Sequence, residues 1–338
     1  GVINMNNFKK IGLTALAGSL IATSAFAGSM SVGGSAGISL SGSSNYSNGN
    51  GWSSGDSLTF TGSGELDNGM SVVTYQEIDG GTLDDRYFSI AMDGLGKMTF
   101  HAHGGGTAMS AVDDTTPTAY GESWDLIGHT SASTSKTAGQ ADKEGAIGGF
   151  GTNNSFMYEA PEMVDGLGVT VSYVPSGTAT TAAESTTKLA RPDGSVSWAL
   201  AYTGVEGLTV GYAQDDNGFN GTSKYETEVM YANYAFGSFT VGFTESERTQ
   251  SGATAGDDEF SAHGITYQVS DDLTIGYNAS ERQFGDKTAD QENKALSVSY
   301  TSGGMTISAA HVSMDNVGGS TSARDDVDGY AIDIGFAF

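Results

Sequence analysis

From residue 28 onward, large apolar side chains alternate with small or polar ones, in stretches broken by clusters of Gly, Asp, Asn and Ser. A period of two puts successive side chains on opposite faces of a strand, so each stretch has one apolar and one polar face. The stretches fall at 30–40, 57–65, 71–79, 86–92, 97–103, 155–160, 168–174 and 195–203, then at 207–214, 223–236, 238–247, 258–269, 272–281, 292–300, 304–313 and 326–338. That makes sixteen, and a closed up-and-down barrel needs an even number. The connections alternate in length. Tight turns are expected at Asp67–Gly69, Asp93–Gly96, Asp165–Gly168, Gly204–Gly207, Phe236–Gly237, Ser270–Asp272 and Ser302–Gly304, with longer polar loops between them. The pattern predicts an all-β, sixteen-stranded antiparallel transmembrane barrel with short periplasmic turns and long extracellular loops, the segments near 104–154 and 175–194 being extracellular or folded inward.

The second half repeats a hairpin. Tyr202, Tyr234, Tyr267 and Tyr300 each stand just before a tight turn, and strands such as 208–212, 239–243 and 273–277 follow the turns. Aromatic residues at one level of successive hairpins form a girdle at a membrane interface. Parity also sorts the faces. Met98 and Phe100 are assigned to lipid, which turns Lys97, Thr99, His101 and His103 inward. Arg248 continues the inward set Thr240, Gly242, Thr244 and Ser246, and Arg282 continues Thr274, Gly276, Asn278 and Ser280. Glu65, Glu159 and Asp333 fall on the inward face as well. A lumen of Ser, Thr, Gly and scattered charges is water-filled, because a packed barrel interior needs bulky apolar residues.

A soluble β-sandwich shares this alternation, and the two ends of the chain separate the cases. Lys9 and Lys10 precede an apolar stretch, Ile11 to Ile21, followed by Ser24–Ala27 with its Ala-x-Ala pattern. These are the parts of an export signal, so residues 1–27 are expected to be removed and 28–338 to form one barrel domain. Residues 1–4, ahead of Met5, are read as foreign to the native start. The apolar stretch is too short to span ~30 Å of hydrocarbon as a helix, and only helices and closed barrels satisfy their backbone polar groups in a bilayer. At the other end, Tyr330, Ile332, Ile334, Phe336 and Phe338 share one strand face. This ending resembles the terminal signature by which outer-membrane barrels are recognised by their assembly machinery, with Tyr330, Phe336 and Phe338 as its residues.

Composition narrows the function. The chain has no Cys, 4 Pro and 50 Gly, so an exported fold without disulfides takes its stability from elsewhere, and a closed hydrogen-bonded barrel is one such source. The formal net charge is -26, and loss of Lys9 and Lys10 with the leader makes it -28, which excludes nucleic acid as a partner.

The longest connection runs from Gly104 through Asp113, Asp114 and Tyr120–Asp125 to Asp142–Glu144 and Gly148–Gly151. Here the chain resembles the general bacterial porins of Gram-negative outer membranes, especially the alphaproteobacterial trimeric type. The resemblance rests on Leu95–Phe100 leading into a long acidic third loop, on the strand count and on the Phe338 terminus. It implies a homotrimer in outer-membrane lipid and a third loop, 104–154, folded into the barrel as its constriction. It also implies that Asp113, Asp114, Glu122 and Asp125 are loop acids facing the wall bases Lys97, Arg248 and Arg282, with His101 and His103 on the wall. Wall bases are few and no arginine ladder is evident, which favours a cation-preferring pore.

Enzymatic and metal readings are weaker. His101 and His103 have the spacing of a two-histidine metal site on a strand, yet two imidazoles lining a polar pore explain them as well. Gly104–Gly106 lacks the Lys-Ser/Thr of a phosphate loop. No cofactor is expected, apart from Ca²⁺ on clustered loop acids. The expected function is non-enzymatic: passive diffusion of ions and small hydrophilic solutes. A solute-selective channel on the same barrel, or a surface adhesin without a pore, remain the alternatives.

Overall fold

In a bilayer each strand must hydrogen-bond along both edges, and here all sixteen do. The computed structural model describes residues 28–44, 51–127, 153–175, 194–217, 224–251, 257–285, 287–321 and 326–338. The leader segment 1–27, the loop positions 128–152 with Asp142, Glu144 and Gly148–Gly151, and 176–193 lie outside the described residues. The strands are β1 Ser29–Ser43, β2 Gly51–Glu65, β3 Ser71–Asp79, β4 Thr82–Met92, β5 Gly96–His103, β6 Ser155–Glu159, β7 Leu167–Val174 and β8 Ser195–Val205. They continue as β9 Leu208–Asn217, β10 Lys224–Phe236, β11 Phe239–Ser251, β12 Asp258–Ser270, β13 Leu273–Gln283, β14 Gln291–Ser302, β15 Met305–Asp315 and β16 Val327–Ala337. Each pairs antiparallel with its sequence neighbours, and β16 returns to β1 to close the barrel.

Closure is completed by the last residue. The Phe338 N–H donates to Gly34 O at 3.0 Å, and the Gly34 N–H donates to Phe338 O at 2.9 Å. Phe336 and Phe338 are exposed on the outward face.

All sixteen expected strands are present, in order. Their ends toward the long loops run further than the alternation indicates: β2 begins at Gly51, β4 at Thr82, and β11 reaches Ser251. Beyond the bilayer both faces meet water, so the ladder continues with polar residues on either side and the apolar signal vanishes. One connection on that side is short. β3 and β4 are joined by Gly80 and Gly81, both at positive φ (54° and 80°), as a two-residue turn matched to strand twist requires.

The faces follow parity. Phe243, Ile265, Ile275, Tyr277, Leu296 and Val298 are exposed outward, while Thr244, Ser246, Asn278, Ser280 and Ser297 are buried on the inside. The girdle forms at the short-turn rim, where Tyr234, Phe236, Phe239 and Tyr267 make a run of ring contacts with centroids 4.7 to 5.7 Å apart.

The inward burial comes from the third loop, whose described part Gly104–Ile127 lies inside the barrel. It opens with a 3-10 turn, Ala108–Ala111, whose Ala108, Met109 and Val112 pack on Ala199, Ala213, Val229 and Tyr231 of β8 to β10. It ends at Ile127, packed with Ala295, Ala310, Val312 and Val327 of β14 to β16. A loop has no edge to pair, so side chains of the wall satisfy its backbone instead.

Candidate pore and constriction loop

The wall holds the loop by polar side chains that parity turns inward. Ser172 accepts from the Ala108 N–H at 2.9 Å, and Asn233 donates to Thr115 O at 2.8 Å. Thr244 is 3.1 Å from the hydroxyls of both Thr115 and Thr116. Asn278 accepts from the Ser123 N–H at 2.7 Å and donates to the Thr118 hydroxyl at 3.1 Å, while Ser297 accepts from the Ala119 N–H at 3.3 Å. Trp124 meets Phe260 edge to face at 5.0 Å. The loop therefore follows the wall from β7 round to β16.

The loop acids differ among themselves. Asp113, Asp114 and Asp125 are exposed to the lumen, whereas Glu122 is 5% exposed. Glu122 Oε1 accepts from the Thr116 N–H at 3.2 Å, while its Oε2 is buried with no hydrogen-bond donor. Desolvation inside the barrel, followed by the hydrogen bond and charge of Asp114, pushes the Glu122 carboxyl up to about 9. Desolvation and then the charge of Asp114 raise Asp113 to about 6. One carboxylate oxygen each from Asp114, Glu122 and Asp125 lie within 4.8 Å of one another.

The bases expected to face these acids are engaged on the wall. Lys97 Nζ is 2.5 Å from Glu159 Oε2. Arg248 and Arg282 converge on the same Asp258 oxygen at 2.5 and 3.0 Å, and Arg282 lies over the Phe284 ring at 4.5 Å. The structure thus joins Arg248 to Arg282 through Asp258, an acid that only the strand register brings beside Arg248. His101 lies 5.7 Å from the Tyr87 ring, and His103 Nδ1 is 2.6 Å from Asp84 O. On β3 and β4, Tyr75 stacks on Tyr87 at 4.9 Å and donates to Glu77 at 2.8 Å. Thr244, Asn233, Asn278 and Ser297 were readable as inward but not as anchors, because what they bind is an aperiodic loop more than a hundred residues away.

A closed barrel with an apolar exterior, a polar lumen and a loop narrowing that lumen defines a channel-forming membrane barrel. The chain belongs to the Gram-negative porin family, whose sequence profile matches residues 12–336, and it is an outer-membrane porin. Among solved structures it is similar to the anion-selective porin of Comamonas acidovorans, with 14% identity over 92% of this chain and 100% of that one, at a TM-score of 0.65. Salmonella typhi OmpF, in complex with daunomycin, matches at 13% identity over 91% and 97%, TM-score 0.66. Vibrio cholerae OmpT in its trimer form matches at 12% identity over 92% and 99%, TM-score 0.63. No curated protein sequence matches the chain significantly.

Proposed function

We propose that this porin passes ions and small hydrophilic solutes by passive diffusion, without enzymatic chemistry, and prefers cations. One observation carries the preference: Asp113, Asp114 and Asp125 are exposed to the lumen, whereas Lys97, Arg248 and Arg282 each lie against a wall carboxylate. A passing ion meets loop acids whose field the paired bases do little to offset. The Comamonas acidovorans relative of the same fold is anion-selective, so the sign of the preference belongs to these side chains and not to the barrel. The reading includes export behind a cleaved leader, recognition of Tyr330, Phe336 and Phe338 by the assembly machinery, and a homotrimer like the trimer form of the Vibrio cholerae structure.

The test is the reversal potential of the refolded barrel in a KCl gradient with chelator present. Cation preference is expected, reduced when Asp113, Asp114, Glu122 and Asp125 are neutralised together. An anion-selective wild type would overturn the charge assignment. Deleting 112–127 is expected to raise conductance and the size limit with the barrel intact, since that segment supplies no strand; an unchanged pore would remove the loop from the constriction.

A further inference from the structure

We propose that Tyr75 and Tyr87 on the inner wall, with Glu77 and Asp85 beside them, form a binding subsite for organic cations of the alkylammonium class. The rings come first. Tyr75 and Tyr87 are cross-strand partners on β3 and β4, with ring centroids 4.9 Å apart and planes inclined at 15°. Tyr87 is paired in turn with His101 of β5, whose ring lies 5.7 Å away. The three rings share the inward parity of Val73, Ser89 and Thr99, and both tyrosines keep part of their surface exposed. The side chains that anchor the third loop, from Ser172 to Ser297, stand on other strands.

A stacked pair also stabilises a sheet, and what points to a ligand is the charge brought beside it. Glu77 is two residues along β3 from Tyr75 and so on the same face; it accepts from the Tyr75 hydroxyl at 2.8 Å and from the Ser57 hydroxyl. Both of these partners are neutral, so neither cancels its charge. Asp85 arrives by a bulge: Gln76 is opposite Arg86 and Ile78 is opposite Leu83, so two residues of β4, Asp84 and Asp85, stand against Glu77. Asp85 Oδ1 is buried without a hydrogen-bond partner. Lys97, the base on this face of β5, lies against Glu159. A cation within about 6 Å of a tyrosine ring centroid is attracted by the negative face of the ring, and a neighbouring carboxylate adds countercharge. An anion is repelled by both, a neutral solute draws little from the charge, and a hard metal ion takes oxygens and has no use for the rings. An alkylammonium ion, apolar on its surface and positive at its centre, uses both.

The inference rests on the channel reading only for the use of the subsite in transport, and binding is measured without conduction. The probe is choline, followed by saturation-transfer NMR on the refolded barrel (residues 28–338) in a nonionic detergent. Saturable transfer to its N-methyl protons is expected, with the dimethylbutanol in which carbon replaces the charged nitrogen binding about tenfold more weakly or less. Tyr75→Leu and Tyr87→Leu are each expected to weaken choline binding about three- to tenfold, while Tyr87→Phe, which keeps the ring, retains most of it. Glu77→Gln is expected to weaken it as well, whereas neutralising Asp113, Asp114 and Asp125 together leaves it nearly unchanged. Heat-modifiable gel mobility reports that each variant is folded. Non-saturable transfer overturns the proposal, as does equal binding of the neutral isostere, which would make the site an apolar one. So does choline binding that is unchanged in folded Tyr75→Leu and Tyr87→Leu or that falls as far with the loop acids, since the general charge of the lumen then holds the cation. A conducting pore that does not bind choline refutes the subsite alone, while a barrel that binds choline but does not conduct refutes the channel reading alone.

Discussion

Acids crowd together in two places, inside the barrel on the third loop and outside it on β10 to β14, and the two crowds are built on opposite principles. Outside, Glu228 faces Glu247 across β10 and β11, Glu247 faces Glu259 across β11 and β12, and Glu281 faces Glu292 across β13 and β14. These side chains follow the lipid-facing parity of Met230, Phe243 and Tyr277 but sit one or two pairs nearer the long loops, where the outward face has left the hydrocarbon. Glu228, Glu247, Glu259 and Glu292 are exposed, so water and salt screen them. Inside, three carboxylates are gathered and one of them is sealed from water by the loop's own packing. The same residue type is a solvated rim in one place and a partly sealed cluster in the other, and desolvation makes the difference.

The strongest way to break this comparison is to put charge where neither water nor a partner is available. Arg in place of Val210 or Ile275, on the outward face within the apolar band, is expected to cost about 2 to 4 kcal/mol if the position is near the midplane. Arg in place of Thr209 or Thr274, one residue away but turned to the lumen, is expected to cost far less. Denaturant titration of the folded barrel in bilayers or detergent measures both. Equal losses from the two sets would mean that the faces are not sorted as parity assigns them.

A smaller effect is expected at the wall acid that gathers two bases. Asp258 accepts from both Arg248 and Arg282, and these three side chains are mostly buried. Its Oδ1 also accepts from the Gly285 N–H at 3.1 Å. Asp258→Ala is expected to destabilise the barrel by about 1 to 3 kcal/mol, the range for leaving buried donors without an acceptor. It is also expected to move the reversal potential toward anions, because two guanidinium groups lose a countercharge. Asp258→Asn, which keeps an acceptor, should recover part of the stability and little of the selectivity.

The barrel was legible because strands obey a strict period, and parity then assigns every side chain in a strand to lipid or lumen. Thr244 and Asn278 were placed inward by that rule. The rule stops where both faces are wet, which is why the ends of β2, β4 and β11 were read short. It is silent in the third loop, where Glu122 and Asp125 look alike as residues and differ only after Trp124 has packed on Phe260 and Ile127 on β14 to β16. Asp258 was missed for a different reason. Its partners lie ten and twenty-four residues away, and Arg248 becomes its cross-strand neighbour only once the β11–β12 register is known.

The smallest expected effect sharpens the comparison most. Glu247 has a glutamate directly opposite on each side, Glu228 on β10 and Glu259 on β12. Like charges in register across a ladder are unfavourable by roughly 0.2 to 1 kcal/mol per pair, and screening lowers this at an exposed site. Glu247→Gln removes both repulsions while keeping the shape, so it is expected to stabilise the barrel slightly at low ionic strength, with the gain shrinking as salt is added. Its outward position should leave conductance and reversal potential unchanged. Neutralising Asp113, Asp114 and Asp125 together, by contrast, is expected to reduce the cation preference of the pore. A selectivity change from Glu247→Gln as large as that from the loop acids would mean that the outer row contributes to the field of the pore, and the division between rim and cluster would fail.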